Sequence, residues 1–525
     1  MPDTAEHGES SQSVETGDHR LQLPEESCRS EVPVATAVDE DRILQQAHYQ
    51  VIQEAAHAEE VVMERRRLYV SLCIVALGAI GLAVGLGIGL SRRQNNWSAN
   101  PAVELPTDSP TITRRELLRQ VLERVSGADM LADEESPRFQ ALNWLANEDP
   151  AILPTDSDKQ KIVERYIVAL VYFNNNGSSW EEQTNWLSRF PVCEWHRYTM
   201  GVICNDDGYI IGLRLGDLSG TIVRELGHLS QLQFLDLAHN QGGLHGTIPT
   251  ELGMLTTLTS LRLDEIGKIT GKIPTEIGRL TALKTLRLLF NELTGRIPTT
   301  IGFLTNLEDF SIWENMLSGE IPSEIANLSK LDSLSLYDNA LTGTIPLPLT
   351  TMTNLRSFYL HENALRGSIP SQIGRLTSVW NLVLASNKLT GSIPSEIGYF
   401  KRLWRIELNN NELTSSLPTE LGLLNRTSFL YLESNRLQGS VPTELAAIGA
   451  LEKIFLHNNK LTGSLPTEFH SLDKLKAVRL QQNQFVGDLD PAFCNRMIPL
   501  EELWADCAGD NPEVTCSCFT RCYKD

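Results

Sequence analysis

The sequence predicts an α/β solenoid, a stack of short strands and turns, carried on a single membrane-spanning helix. Three features of its 525 residues lead to this prediction. A pattern repeats every 24 residues over residues 283–487, an uncharged stretch occupies residues 68–90, and seven of the nine cysteines lie on either side of the repeats. Self-similarity at a fixed period of this length is the signature of a solenoid, in which each unit packs only against its neighbours.

The repeat unit reads Leu-x-x-Leu-x-Leu-x-x-Asn-x-Leu-x-Gly-x-Ile-Pro-x-x-Ile-Gly-x-Leu over residues 283–304. Its alternating leucines predict a short strand with leucines inward and the residues between them on an open, concave face. The asparagine is expected to turn inward and bond backbone groups of its own turn and the next, because buried polar groups need partners. The Ile-Gly-x-Leu end predicts a helical or 3₁₀ turn on the convex side. The asparagine recurs at Asn291, Asn315, Asn339, Asn363, Asn387, Asn411, Asn435, Asn459 and Asn483.

The Leu-x-Gly-x-Ile-Pro element resembles the plant-type leucine-rich repeat of receptor-like kinases and receptor-like proteins. The resemblance covers roughly residues 166–490 and implies a superhelix with short parallel strands on its concave face, used as a binding scaffold. Cys193-x-Trp195 and Gly201-Val202-x-Cys204 resemble the N-terminal cap of such ectodomains, which implies that the two cysteines are bridged. The whole arrangement is also similar to microalgal single-pass membrane proteins with leucine-rich repeats.

Six segments follow from these patterns. Helices are expected to begin after Thr113 and at Ser136, and a third is expected over residues 161–173, with an apolar face that covers the first repeat. The segments are an acidic cytoplasmic tail with a juxtamembrane helix (1–67), a transmembrane helix (68–90), an extracellular stalk and helical preface (91–165), an N-terminal cap (166–210), about twelve repeats (211–490) and a Cys-rich C-terminal cap (491–525).

The orientation in the membrane follows from what lies after the span. The 23 residues 68–90 carry no charge, enough to cross a hydrocarbon core of about 30 Å, and lie too far from Met1 for a cleaved signal peptide. The clustered cysteines follow the span, where disulfides persist. We expect a single-pass plasma-membrane protein with a cytoplasmic N-terminus and extracellular repeats. The Asn-x-Ser/Thr glycosylation sites, which also follow the span, are Asn96, Asn176, Asn327 and Asn425.

Two features near the membrane have alternative interpretations. Gly81, Gly85 and Gly89 form a Gly-x-x-x-Gly face that permits a homodimer, although glycine is frequent in such spans anyway. Apolar residues recur at helical spacing from residue 41, which suits either a helix that pairs with a partner or a solvated helix leading into the membrane.

The C-terminal cap contains five cysteines, Cys494, Cys507, Cys516, Cys518 and Cys522. They predict a disulfide-bonded end, with fifteen possible two-bridge patterns and one cysteine left over. A zinc site is the rival interpretation. It is disfavoured because no Cys-x-x-Cys pair and no histidine follows His470.

Composition and motifs argue against two classes of function. A net charge of −21 and a pI near 5.0 argue against nucleic-acid binding, which needs a basic surface. The chain has no phosphate-binding loop, no His-Glu-x-x-His, no Gly-x-Ser-x-Gly and no kinase motif set. Plant receptor kinases carry their repeats before the span and a kinase after it, whereas this chain reverses the order and lacks the kinase. We therefore expect neither an enzyme nor a cofactor.

A candidate ligand-binding patch emerges when equivalent strand positions are followed from repeat to repeat. Aromatic side chains adjoin across successive repeats on the open face, and none is expected to face the core. A rigid concave sheet with exposed aromatics predicts a ligand patch; the alternative is that rings are ordinary on pleated strands. The patch comprises Leu289, Phe290, Trp313, Tyr337, Tyr359 and His361.

Two functions of different classes fit these observations. The first is a receptor-like protein that binds a peptide, glycan or protein outside the cell and signals through a partner kinase or through dimerisation. The second is a non-signalling adhesion or cell-wall-binding protein, or an inhibitor of secreted hydrolases. In the second case the anchor only fixes the scaffold at the surface.

Overall fold

The computed structural model describes residues 113–154, 158–181, 183–197, 200–240, 243–266, 268–494, 496, 498–507 and 514–523. The acidic tail, the uncharged stretch 68–90 with Gly81, Gly85 and Gly89, and the glycosylation site at Asn96 lie outside these residues. Within them, no helix is both long enough and apolar enough to cross a membrane.

Helices precede the repeats, as the capping residues indicate. The Thr113 hydroxyl accepts a hydrogen bond from the N–H of Glu116 at 3.3 Å, and the Ser136 hydroxyl accepts from the N–H of Phe139 at 3.1 Å. The expected boundary at residue 165, between the helical preface and the N-terminal cap, falls inside Lys159–Asn174, the last helix before the repeats. The preface and the cap pack in one hydrophobic core. The α-helices are Arg114–Ser126, Ala128–Ala132, Pro137–Asn143 and Lys159–Asn174, and a π-helical turn follows the third at Trp144–Glu148.

Buried polar contacts fasten the helices to the first repeat. The carboxylate of Glu225, in the first convex turn, is fully buried. It accepts hydrogen bonds from Arg138 at 2.6 Å and 3.0 Å and from the Ser126 hydroxyl at 3.0 Å. Glu164, in the helix Lys159–Asn174, accepts from the N–H of Ile210 in the first repeat strand at 3.0 Å. The helices therefore cover the end of the stack, as a solenoid terminus requires.

The concave face is one sheet. Its first three strands are antiparallel, and all later neighbours are parallel. Ser311 lies opposite Ser335, and Ser335 opposite Tyr359, so equivalent positions of successive repeats form rows across the sheet. Its strands, among the described residues, are His196–Arg197, Met200–Cys204, Ile210–Arg214, Phe234–Asp236, Ser260–Arg262, Thr285–Arg287, Asp309–Ser311, Ser333–Ser335, Ser357–Tyr359, Asn381–Val383, Arg405–Glu407, Phe429–Tyr431, Lys453–Phe455, Ala477–Arg479, Glu502–Asp506 and Arg521–Tyr523.

The second strand of each repeat joins short lateral sheets. These sheets consist of Gly246–Thr247, Ile269–Gly271, Glu292–Gly295, Met316–Glu320 and Ala340–Thr342; of Arg366–Ser368, Lys388–Gly391 and Glu412–Leu413; of Gln438–Gly439, Lys460–Gly463 and Gln484–Phe485; and of Gly487–Asp488 with Val514–Thr515. A four-residue α-helix, Asp490–Phe493, begins the C-terminal cap.

The convex side consists of 3₁₀ turns, as the Ile-Gly-x-Leu segment predicts. A Cβ atom at Gly302 would lie 2.6 Å from the carbonyl oxygen of Glu324, so glycine lets successive turns stack closely. The turns are Arg224–His228, Thr250–Met254, Thr275–Arg279, Thr299–Phe303, Ser323–Asn327, Leu347–Thr351, Ser371–Arg375, Ser395–Tyr399, Thr419–Leu423, Thr443–Ala447 and Thr467–Ser471, and the N-terminal cap adds Gly177–Ser179 and Val192–Glu194.

The repeat asparagines form the predicted ladder. The amide nitrogen of Asn315 donates to the carbonyls of Ile312 and Trp313 in its own turn, both at 3.2 Å, and to Leu288 of the preceding repeat at 3.0 Å. Its oxygen accepts from the N–H of Leu293 at 3.0 Å. The partner turn is thus the preceding one, not the next one as expected, because the amide points back along the stack.

Three disulfide bonds close the two ends of the described chain. Cys193 bonds Cys204, as the resemblance to the N-terminal cap implied. At the other end the pairs are Cys494–Cys518 and Cys507–Cys522. Cys516, which the sequence grouped with the disulfide cysteines, is the unbonded one, and its sulfur lies 2.7 Å from that of Cys494. Burial raises the pKa of this thiol to about 11.

Candidate ligand-binding face

Four rings from successive repeats contact one another in a row on the concave face, and we call them the aromatic ladder: Phe290, Trp313, Tyr337 and His361. Their centroids follow one another at 4.6, 4.7 and 4.2 Å. Phe290 meets Trp313 edge to face, at 66°, whereas the ring planes of the last two pairs are nearly parallel, at 14° and 12°. Tyr359 stands beside the ladder, 6.3 Å from Tyr337 and 6.2 Å from His361. The structure thus brings together five of the six residues predicted for the patch.

The repeat itself sets the geometry of the ladder. Parallel strands lie about 4.8 Å apart, which is close to the stacking distance of aromatic rings. The asparagine two residues after each of the last three rings fixes the ring's backbone. The amides of Asn315, Asn339 and Asn363 donate to the carbonyls of Trp313, Tyr337 and His361 at 3.2, 3.1 and 3.1 Å.

Two positions are more enclosed than the sequence predicts. Leu289 is only 5% exposed and His361 only 9%, whereas all six side chains were expected to be open. His361 is covered because Tyr337 stacks on it, and Leu289 precedes Trp313 in the same row. Phe290 remains 36% exposed, and Trp313, Tyr337 and Tyr359 are half-buried. The ladder therefore presents mainly ring edges, because its faces are largely occupied by neighbouring rings.

The polar groups of the ladder are uncharged near neutral pH. Burial, with a smaller effect from Arg405, lowers the pKa of His361 to about 3. Its Nδ1 is buried and has no hydrogen-bond partner among the described residues. Burial raises the pKa of the Tyr337 hydroxyl above its usual value, and the charges of Glu314, Asp338 and Glu362 act in the same direction. These three carboxylates belong to the residues that directly follow the rings.

Ion pairs lie on either side of the ladder in the same sheet. Towards the N-terminal end, Arg287 binds Asp309 at 2.7 Å, and Arg262 binds Asp264 at 3.1 Å. Towards the C-terminal end, Arg405 forms an ion pair with Glu407. Ion-paired arginines of the sheet therefore lie on both sides of the ladder, whose own rings carry no charge.

Comparison with known proteins agrees with this architecture. The family model for the Leucine Rich Repeat matches residues 354–376 and 450–472. The Arabidopsis receptor kinase HAESA, solved with the peptide hormone IDA and the co-receptor SERK1, is 29% identical, with a TM-score of 0.55 over 63% of this chain and 55% of that chain. The HAESA ectodomain with an N-terminally extended IDA peptide is 32% identical, with a TM-score of 0.52 over 59% and 51%.

The repeats are leucine-rich repeats of the plant type. This confirms the resemblance that the Leu-x-Gly-x-Ile-Pro element carries. The chain spans about half the length of the HAESA structures that it matches. No curated protein matches the sequence.

A second group of aromatic rings, near the C-terminal cap, was not predicted as a cluster from the sequence. The Arg479 guanidinium lies between Phe455 and Trp504, 4.3 and 4.2 Å from their ring centroids, and binds Glu502 at 2.6 Å. Trp504 lies in a cap strand that extends the concave sheet beyond the last leucine-rich repeat. The repeat pattern gives no signal for this strand. The ring contacts of Arg479 and its ion pair with Glu502 therefore join the cap strand to the last repeat.

Two clusters could present metal-ligand atoms, and both are otherwise engaged. Cys494 and Cys518, near Cys516, are bonded to each other. In the other cluster, His239 shares a hydrogen bond of 2.8 Å with Glu265, and Asp264 binds Arg262. Neither cluster supports a metal site in the described part of the chain.

The predicted glycosylation sites that fall on described residues are accessible. Asn327 ends a convex 3₁₀ turn, and Asn425 follows another such turn; both side chains are exposed. Asn176, in the N-terminal cap, is also exposed. Glycosylation at these positions, away from the ladder, stays a prediction.

Proposed function

We propose that this chain is a membrane-anchored, extracellular receptor-like protein that binds a peptide along the aromatic ladder. The observation that carries the proposal is the continuous row of ring contacts from Phe290 to His361 on the concave sheet. Rigid aromatic side chains supply contact area at low entropic cost, which is why they dominate binding surfaces. The solenoid itself needs only the leucines and asparagines of the repeat, so folding does not explain the aromatic rings.

A peptide is the ligand class that we favour over a glycan or a folded protein. HAESA, whose ectodomain is similar to this one, is solved with a peptide hormone. An extended chain also suits a row of ring edges that crosses successive strands, since it can contact several repeats at once. That structure of the receptor kinase HAESA also contains a co-receptor, SERK1. By analogy, we propose that this chain signals together with a partner kinase.

The anchor in this proposal is the uncharged stretch 68–90, with the acidic tail in the cytoplasm. The tail carries no kinase motifs, so a signal would pass to a partner kinase or through a homodimer formed by Gly81, Gly85 and Gly89. A surface protein that only adheres to a cell wall, or inhibits a secreted hydrolase, would have no need of the tail.

Topology and tail function are tested on the full chain, with one epitope tag at each end. Protease added to intact cells should remove the C-terminal tag and spare the N-terminal one; the reverse pattern would refute the orientation. Deleting residues 1–60 should leave ligand bound at the surface while the cellular response disappears. An unchanged response after this deletion would favour the adhesion or inhibitor function.

A further inference from the structure

Each of the last three ladder rings is followed directly by an acidic residue. The pairs are Trp313-Glu314, Tyr337-Asp338 and His361-Glu362. The three acidic residues share one backbone conformation, with φ of 48°, 49° and 53°, so they occupy equivalent places in successive repeats. We call this row of carboxylates the acidic rim. The same row is uncharged in the repeats that follow, at Ser386, Asn410, Ser434, Asn458 and Gln482.

The carboxylates of the acidic rim follow the ladder rings in sequence, and their charges also act on the ladder. All three carboxylates act on the hydroxyl of Tyr337, the middle ring of the three. The flanking cations Arg287 and Arg405 are each bound to a carboxylate of the sheet, Asp309 and Glu407. The negative charge of the rim is thus placed beside the ladder and nowhere else along this row after Glu362.

The ring geometry restricts what the ladder can accept. Tyr337 is stacked between Trp313 and His361, so both of its faces are covered and a cation cannot lie over them. The ring edges remain available to an apolar stem. His361, only 9% exposed as a residue, adds a buried Nδ1 that has no hydrogen-bond partner among the described residues.

We propose that the ladder and the acidic rim together select a peptide segment that carries arginine or lysine. The aliphatic stem of the basic residue lies across the ring edges, and its charged head binds carboxylates of the rim. Long basic side chains commonly divide their contacts in this way. Guanidinium–carboxylate bonds are also among the strongest and most directional hydrogen bonds in proteins. This inference rests on the proposed function, because it specifies the chemistry of the ligand at that same face.

The test is a selection from a random 12-residue peptide library on the immobilised full chain. Selected peptides should be enriched in arginine and lysine relative to the library. Their affinity should fall at least tenfold for the double variant Asp338→Asn/Glu362→Gln. A matched control, Glu444→Gln/Glu468→Gln, removes the same charge from exposed convex positions and should leave the affinity unchanged within a factor of two.

The possible results separate this inference from the function on which it rests. Peptides that lose affinity for Trp313→Ala but contain no excess of basic residues would overturn the inference and leave the peptide-binding function standing. An equal loss for the rim variant and the control would reduce the effect to general attraction by an acidic protein, and would also overturn the inference. Failure to select any peptide that depends on Trp313 would overturn both.

Discussion

The side-chain amide of Asn339 donates to the backbone carbonyl of Tyr337 at 3.1 Å. The same amide donates to the carbonyl of Ile312 in the preceding repeat at 3.1 Å, and its oxygen accepts from the N–H of Leu317 at 3.0 Å. One residue of the repeat framework therefore positions a variable residue of the candidate site. Stability and binding should be separable at these two positions, although they lie two residues apart.

Asn339→Ala should destabilise the stack. It removes the donor and the acceptor that satisfy several backbone groups, and each stranded polar group costs about 1–3 kcal/mol. The measurement is the free energy of unfolding from urea titration. Asn354→Ala serves as a control, because this exposed asparagine makes one bond, 2.8 Å to the carbonyl of Ser329. A loss for Asn339→Ala no larger than that for Asn354→Ala would refute the structural role of the ladder.

Acid should weaken the fold through His361. Its pKa is about 3 in the folded chain against an ordinary 6.5, so folding excludes a proton. The stability that depends on the neutral ring is complete above pH 6.5 and is lost as the pH falls towards 3. The advantage of wild type over His361→Phe should shrink by up to about 1.4 kcal/mol per pH unit in that range.

The pH measurement compares urea unfolding of both proteins at pH 7 and pH 4.5. His457→Phe should show the same direction and a similar effect, since burial lowers the pKa of His457 to about 4, which is also below pH 4.5. If the difference between wild type and His361→Phe is the same at both pH values, the imidazole is not held neutral by its surroundings.

Arg138→Ala should release the helices from the first repeat. It leaves the fully buried carboxylate of Glu225 with only the more distant guanidinium of Arg224, 3.7 Å away. Breaking a buried pair typically costs about 3–5 kcal/mol. Hydrogen exchange in the helices Arg114–Ser126 and Pro137–Asn143 should accelerate before exchange in the central repeats. Arg356→Ala, which breaks an exposed pair with Asp332, should change stability by less than about 0.5 kcal/mol. Unchanged exchange in Arg138→Ala would show that apolar packing alone holds the helices.

Much of the fold could be predicted because the same residue types recur at the same positions of every 24-residue repeat. The inward leucines, the asparagine ladder and the convex 3₁₀ turns each follow from residue chemistry at a fixed period. The row containing Trp313 and Tyr337 also follows, since the register of parallel strands is set by the repeat length.

Other features depend on contacts that no period encodes. The strand containing Trp504 joins the sheet through the cap, where the 24-residue pattern has ended. The enclosure of His361 depends on which ring occupies the neighbouring repeat, not on its own position in the repeat.

The central claim, that the aromatic ladder is the ligand-binding face, is tested most directly by the dissociation constant of a selected peptide for Trp313→Ala. Trp380→Ala is the matched control, because Trp380 is 49% exposed and lies outside the ladder. We predict that Trp313→Ala weakens binding by about 1–4 kcal/mol, as expected for an aromatic anchor, while Trp380→Ala binds like wild type. Equal affinities for wild type and Trp313→Ala, with both proteins folded, would contradict the assignment of the ligand to this face.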